Sequence, residues 1–201
     1  MLAQDLAGGF ADPVLDAQSV FRTLLGAMSN PAQIHPLQPL AVPPAPLSRE
    51  AAAVALALCD VDTPLWLDET LAAQAGVRSW LEFHTGAPMA SGAESAAFAI
   101  IPVGRPVPAL DLFAQGTQEY PDRSTTIILE VAELGAGESF RFEGPGIRSH
   151  AVLAARGLPG NFAAQWKSNR ARFPRGVDLV LVAPGKLACL PRTARLTEAE
   201  A

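Results

Sequence analysis

The stretch Val177-Asp178-Leu179-Val180-Leu181-Val182-Ala183-Pro184-Gly185-Lys186-Leu187-Ala188-Cys189-Leu190 decides the fold class. Val177 to Val182 and Leu187 to Leu190 are apolar runs too short for helices, and Ala183-Pro184-Gly185-Lys186 between them supplies turn chemistry, so the segment reads as a hairpin. Apolar residues without polar alternation mark strands covered on both faces. Upstream, Asn161 to Arg172 reads as a helix, while Thr125 to Val131, rich in β-branched residues, and Ala96 to Ile101 read as further strands.

The amino-terminal half extends the same alternation of element types. Asp12-Pro13 opens a helix, since Asp12 can cap free amides and Pro13 needs no N–H there. Its apolar stripe runs Ala17, Val20/Phe21, Leu24/Leu25 and Met28, and Ser29-Asn30-Pro31 stops it. An extended piece spans Gln33 to Leu37, and five prolines between Pro36 and Pro46 predict an exposed, irregular connector. Ser48 caps a second helix through Leu58, and a turn at Asp60, Asp62 and Pro64 leads into the buried strand Leu65-Trp66-Leu67. A short helix is expected from Glu69 to Ala75, then a strand from Ser79 to Thr85, where polar and apolar residues alternate. Helices interleaved with short apolar strands give an α/β sandwich whose terminal hairpin makes the sheet mixed. A chain of 201 residues fits one domain, with residues 1–11 and 196–201 expected as flexible ends.

Composition narrows function. A 49% hydrophobic content rules out a largely disordered chain. The net charge of −5 supplies no broad positive field, so nucleic acid is not an expected partner. No stretch approaches the roughly 20 apolar residues of a membrane span, and no basic leader precedes an apolar core, so a cytoplasmic protein is expected. Cys59 and Cys189 lie in apolar runs and read as reduced core thiols.

Several groups invite a chemical reading beside a structural one. His35, His84 and His150 lack metal-ligand spacing and read as isolated histidines. Asp60 and Asp62 either hold a cation at a strand mouth or cap a turn. Gly144-Pro145-Gly146-Ile147 is either an anion nest or a tight turn. Lys167, Arg170, Arg172, Arg175, Arg192 and Arg195 form a basic cluster in an acidic chain, suited to a phosphorylated ligand or an acidic partner, or simply to a solvated helix face. An exposed Trp166 beside it would favour a partner interface.

Ordered segments across nearly the whole chain resemble the PhnH family of carbon-phosphorus lyase subunits. They are Asp16-Ala17-Gln18, Phe21-Arg22, Ala27 to Pro31, Asp60 to Leu67, Phe83-His84-Thr85-Gly86-Ala87-Pro88, Gly116-Thr117, Gly144 to Ile147, Phe173 to Asp178 and Leu190-Pro191-Arg192-Thr193. The resemblance implies a three-layer α/β/α sandwich similar to the large domain of pyridoxal-phosphate transferases, and a homodimer when alone. It also implies assembly with G, I and J subunits that, with an L subunit, make α-D-ribose 1-methylphosphonate 5-triphosphate during phosphonate breakdown, this chain being peripheral; as the residues offer no complete catalytic constellation, an accessory subunit without catalytic residues, metal or cofactor is expected. The family-matched positions expected to line a shared cleft are Arg22, His84, Thr85, Gly144, Pro145, Arg192 and Thr193. That cleft would hold a phosphonate, ribose phosphate or nucleotide. The fold likeness raises a pyridoxal-phosphate enzyme as a rival, but the only lysines, Lys167 in an Arg-rich helix and Lys186 in the hairpin turn, are poorly placed for a Schiff base. Relatives commonly carry glycine where this chain has Ala32, so a locally different turn is expected there.

Overall fold

A computed structural model describes residues 6–38 and 40–197. The hairpin forms as expected, from β7 (Asp178–Ala183) and β8 (Lys186–Leu190), numbered by chain order among the nine strands of the described residues. It sits inside a six-stranded mixed sheet with β1 (Ile34–Pro36), β2 (Leu65–Leu67), β3 (Phe98–Ile101) and β4 (Thr126–Glu130), in the order β1-β8-β7-β4-β3-β2. Strands β2, β3, β4 and β7 run parallel, while β8 is antiparallel to both its neighbours.

Alternate residues of this sheet feed two cores. Ile100, Ile128, Val180, Val182, Leu187 and Cys189 face a helical layer made of α1 (Pro13–Ser29), α2 (Arg49–Leu58), the short α3 (Glu69–Ala72) and α4 (Ala75–Thr85). Ile101, Ile127, Leu129, Leu179, Leu181 and Leu190 face the other way. There the covering layer departs from the expected α/β/α sandwich. It contains one helix, α5 (Phe162–Ala171), beside an antiparallel sheet of β5 (Glu133–Glu143), β6 (Ala151–Arg156) and β9 (Arg195–Thr197) in the order β6-β5-β9. The period-two pattern that dictates it is visible in Phe140 and Phe142, buried on either side of Arg141.

Helix starts follow their caps. Asp12 accepts hydrogen bonds from the amides of Val14 and Leu15 at 3.1 and 3.0 Å, and Ser48 Oγ accepts from Ala51 at 3.1 Å. The strand expected over Ser79 to Thr85 is instead the body of α4. Val77, Trp80 and Leu81 form its buried stripe at helical spacing, and Phe83, which alternation would have turned inward beside Leu81, is exposed. The proline-rich connector is irregular but not wholly exposed, since Leu37, Ala41 and Leu47 are buried and Arg49 Nε donates to the Ala41 carbonyl at 2.9 Å.

Both ends are more engaged than expected. Trp80 Nε1 donates to the Ala7 carbonyl at 2.8 Å, His84 Nε2 lies 2.8 Å from the Leu6 carbonyl, and Val42 N–H donates to Gly8 at 2.7 Å. Leu196 and Thr197 belong to β9. The remainder of the expected flexible ends, residues 1–5 and 198–201, lies outside the described residues.

The turn after Pro31 keeps a left-handed backbone although no glycine is present: Ala32 has φ 65° with its methyl buried. The backbone therefore holds the conformation a glycine would adopt, and the alanine bears the strain. Ala32→Gly is expected to shift stability by less than about 1 kcal/mol, because relief of roughly 1 kcal/mol offsets the loss of a buried methyl worth about 0.8 kcal/mol. Urea denaturation would show it. Gly146→Ala is expected to cost about 2–3 kcal/mol, since φ is 81° and a Cβ would lie 2.2 Å from the Ser29 carbonyl oxygen.

Candidate functional site

In open α/β sheets, ligands sit beyond the carboxyl ends of the parallel strands, where helix N-termini present free amides. At that edge lies a cavity of about 150 Å³ lined by Ser48, Glu50, Val103, Glu130, Ala132 and Pro184, among others. Glu130 ends β4 and is only 6% exposed. Its Oε1 accepts from the Ser48 amide at the start of α2 (3.2 Å), and its Oε2 accepts from Val103 (3.4 Å). Glu50 Oε1 accepts from the Gly185 amide at 2.9 Å. The amides that would cradle an anion are thus bonded to the chain's own carboxylates. Burial pushes the Glu130 carboxyl above its ordinary value, with neighbouring Glu50 adding to the rise and the bonds from Ser48 and Val103 opposing it.

Along the same edge, Arg105 pairs with Asp68 at 3.4 Å and also with Glu69. A second cleft, of about 440 Å³, opens beside β2, with Arg78 and Glu82 of α4 as its charged lining. Neither Lys167 nor Lys186 lines the cavities described, and Lys186 Nζ donates to the Leu134 carbonyl at 3.3 Å. Both thiols are buried and free, each pushed up to about 12, by burial first and then by Asp60 beside Cys59 and Asp178 beside Cys189. Such sulfurs are poor nucleophiles.

The sequence-derived candidates fall in three places. Arg22 lies exposed on α1. His84 and Thr85 end α4, where His84 meets the Leu6 carbonyl and Thr85 Oγ1 donates to Leu81 (2.7 Å) and accepts from Ala87 (3.0 Å). Gly144, Pro145, Arg192 and Thr193 do converge. A Cβ on Gly144 would lie 2.9 Å from the Thr193 carbonyl oxygen, and the same turn abuts Ser29 and Pro31 through Gly146. Arg192 is committed to Asp178: Nε reaches Oδ1 at 3.1 Å and Nη2 reaches Oδ2 at 2.5 Å, while Nη1 donates to the Pro121 carbonyl. None of these residues lines the cavities described.

The family model described as "Bacterial phosphonate metabolism protein (PhnH)" matches residues 8–197. The chain belongs to this PhnH family. It is 48% identical over 194 residues, 96% of each chain, to the alpha-D-ribose 1-methylphosphonate 5-triphosphate synthase subunit PhnH of Rhizobium meliloti (strain 1021). It is 30% identical over 186 residues, 89% of this chain and 85% of the other, to HtxG of Stutzerimonas stutzeri, whose name carries a provisional C-P lyase subunit assignment. No helix among the described residues is long and apolar enough to cross a membrane.

Set on this fold, the family motifs do structural work that residue type alone does not reveal. Asp60 Oδ1 accepts from Asp62 N–H at 3.0 Å and from Thr63 Oγ1 at 3.1 Å, so the Asp60-Val61-Asp62-Thr63 motif is a capped turn. Trp166 is fully buried rather than exposed, its Nε1 bonded to the Ala194 carbonyl at 3.0 Å. In the basic cluster, Arg172 pairs with Asp111 at 3.1 Å and Arg195 with Glu143 at 3.7 Å. Sequence reading missed Glu130, because a lone glutamate ending an apolar strand carries no motif; its only signal was a charge directly after Thr126-Ile127-Ile128-Leu129.

Two outcomes are expected. Arg192→Ala should lower stability by about 2–3 kcal/mol, because it strands the largely buried Asp178 carboxylate; thermal or urea unfolding measures this. A carboxyl raised by folding holds its proton more tightly in the native state. Its contribution is therefore full below its ordinary value of 4.5 and is lost as pH rises through the higher folded value. Glu130→Gln should accordingly flatten the decline in unfolding free energy from acid to neutral pH, compared with the parent chain.

Proposed function

We propose that this chain is an accessory subunit of a carbon-phosphorus lyase assembly, supporting phosphonate catabolism by binding other subunits rather than by turnover of its own. The observation that carries the reading is the 48% identity, over 96% of both chains, to a protein named as a subunit of α-D-ribose 1-methylphosphonate 5-triphosphate synthase. The site geometry supports it. The carboxyl-end amides already hold Glu50 and Glu130, both thiols are strongly disfavoured as thiolates, and Arg192 is spent on Asp178. An arginine-lined ligand cleft would need Arg22, Arg175 and Arg192 to converge, whereas Arg192 is committed to Asp178, and a pyridoxal-phosphate enzyme would need a lysine in the cavity, where neither Lys167 nor Lys186 lies.

The finer features implied by the resemblance complete the proposal. They are a likeness of the mixed sheet and its helical layer to the large domain of pyridoxal-phosphate transferases, a single domain, a homodimer when alone, assembly with the G, I and J subunits, and residence in the cytoplasm.

Co-expression of the tagged chain with G, I and J subunits from one organism tests the reading. The chain should co-purify with them in a fixed ratio, and alone it should form no product from methylphosphonate and a nucleoside triphosphate. Absence from the assembly would remove the proposal, as would turnover by the isolated chain that a single substitution abolishes.

A further inference from the structure

We infer that the docking face of this subunit is the surface formed by the end of α5, the turn at Leu110–Leu112 and the loop Gly116–Arg123, and that it receives an acidic surface of a partner protein. The inference rests on the subunit reading above. Three observations carry it.

First, large apolar side chains stand exposed there: Leu112 at 58%, Tyr120 at 48% and Phe173 at 47%. Aromatic side chains that are half exposed at no evident functional cost are enriched in protein interfaces. Second, two of them carry a cation. The Arg123 guanidinium lies 4.3 Å from the Tyr120 ring centroid, and that of Arg170 lies 4.4 Å from the Phe173 ring. Stacked guanidinium groups are held in place before a partner arrives, so binding costs less side-chain entropy. Third, the segments are tied to one another. Arg172 pairs with Asp111, the Gly176 amide donates to the Gln115 carbonyl at 3.0 Å, and Arg192 holds the Pro121 carbonyl.

Charge selects the occupant. With Arg172 neutralised by Asp111, the cations Arg123, Arg170 and Arg175 outnumber the acids Glu119 and Asp122, on a chain whose net charge is −5. A face of net charge +1 with arginines stacked at its apolar centre, on a chain of net charge −5, complements an acidic, apolar-studded protein surface. The acids interspersed in it, and the lack of a long basic track, disfavour a nucleic acid backbone. A rival apolar stripe, Val14, Phe21 and Leu25 on the outside of α1, lies in the opposite layer, on a helix whose two charges, Asp16 and Arg22, cancel.

The test is the same co-expression with G, I and J subunits, run on three full-length variants with thermal melts confirming folding: Phe173→Asp, the double variant Arg123→Glu/Arg175→Glu, and Phe21→Asp. The first two should reduce recovered assembly on the order of tenfold, as loss of an interface anchor does, with the parent weakened by added salt and Phe21→Asp unaffected. Loss through Phe21→Asp alone would overturn the inference in favour of α1. Undiminished recovery of all three would overturn it while leaving the subunit reading intact, and failure of the parent chain to assemble would remove both. Binding of a labelled single-stranded oligonucleotide by the isolated chain, abolished by the double variant, would also overturn it, assigning the face to nucleic acid.

Discussion

Two-sided burial of the paired strands β4 and β7 is the constraint from which the remaining architecture follows. Ile127 to Leu129 and Leu179 to Val182 are all at most 3% exposed, so each face of the pair must be roofed. Parallel strands also oblige the chain to cross over between them. One roof is made of helices that cross as β2 leads to β3 and precede them in the chain. The other is made largely by the excursion from β4 to β7 through β5, β6 and α5. Thr125 anchors this pair at its start: its hydroxyl donates to the Ala96 carbonyl at 2.6 Å and accepts from the Ala114 amide at 3.1 Å.

Much of this was legible because the signals were local. Asp12 and Ser48 announce helix starts through cap chemistry, and the hairpin announces itself through Pro184 and Gly185 between apolar runs. The failures were of two physical kinds. At α4 the alternation from Ser79 to Thr85 mimics a strand, and only Val77, outside that stretch, completes the three-four stripe with Trp80 and Leu81. In the second roof, β5 is interrupted by a register shift between Leu134 and Glu138 around Gly135 and Gly137, which confines the period-two pattern to the short piece around Phe140 and Phe142.

The candidate site was less legible than the fold, for a different reason. Arginine, histidine and glycine in family motifs are ambiguous between ligand contact and fold maintenance, and only partners resolve the ambiguity. Arg192 finds Asp178, His84 finds a main-chain carbonyl, and Gly144 finds the Thr193 backbone. Glu130, a buried carboxyl pushed above its ordinary value, is singled out by no spacing rule. Its carboxyl end position matches where related architectures seat anions, yet here a glutamate fills that role and the net acidity of the edge repels a second negative group.

The latch on the leading segment defines where the folded unit starts. Periodicity would put that boundary at Pro13, the first helical residue, but the indole of Trp80 reaches back to Ala7 and is wholly enclosed. Trimming to Pro13 would leave an N–H donor without its acceptor inside an apolar hollow and would uncover the ring. The shortest self-sufficient version of this protein is therefore set by one buried indole rather than by the first regular element.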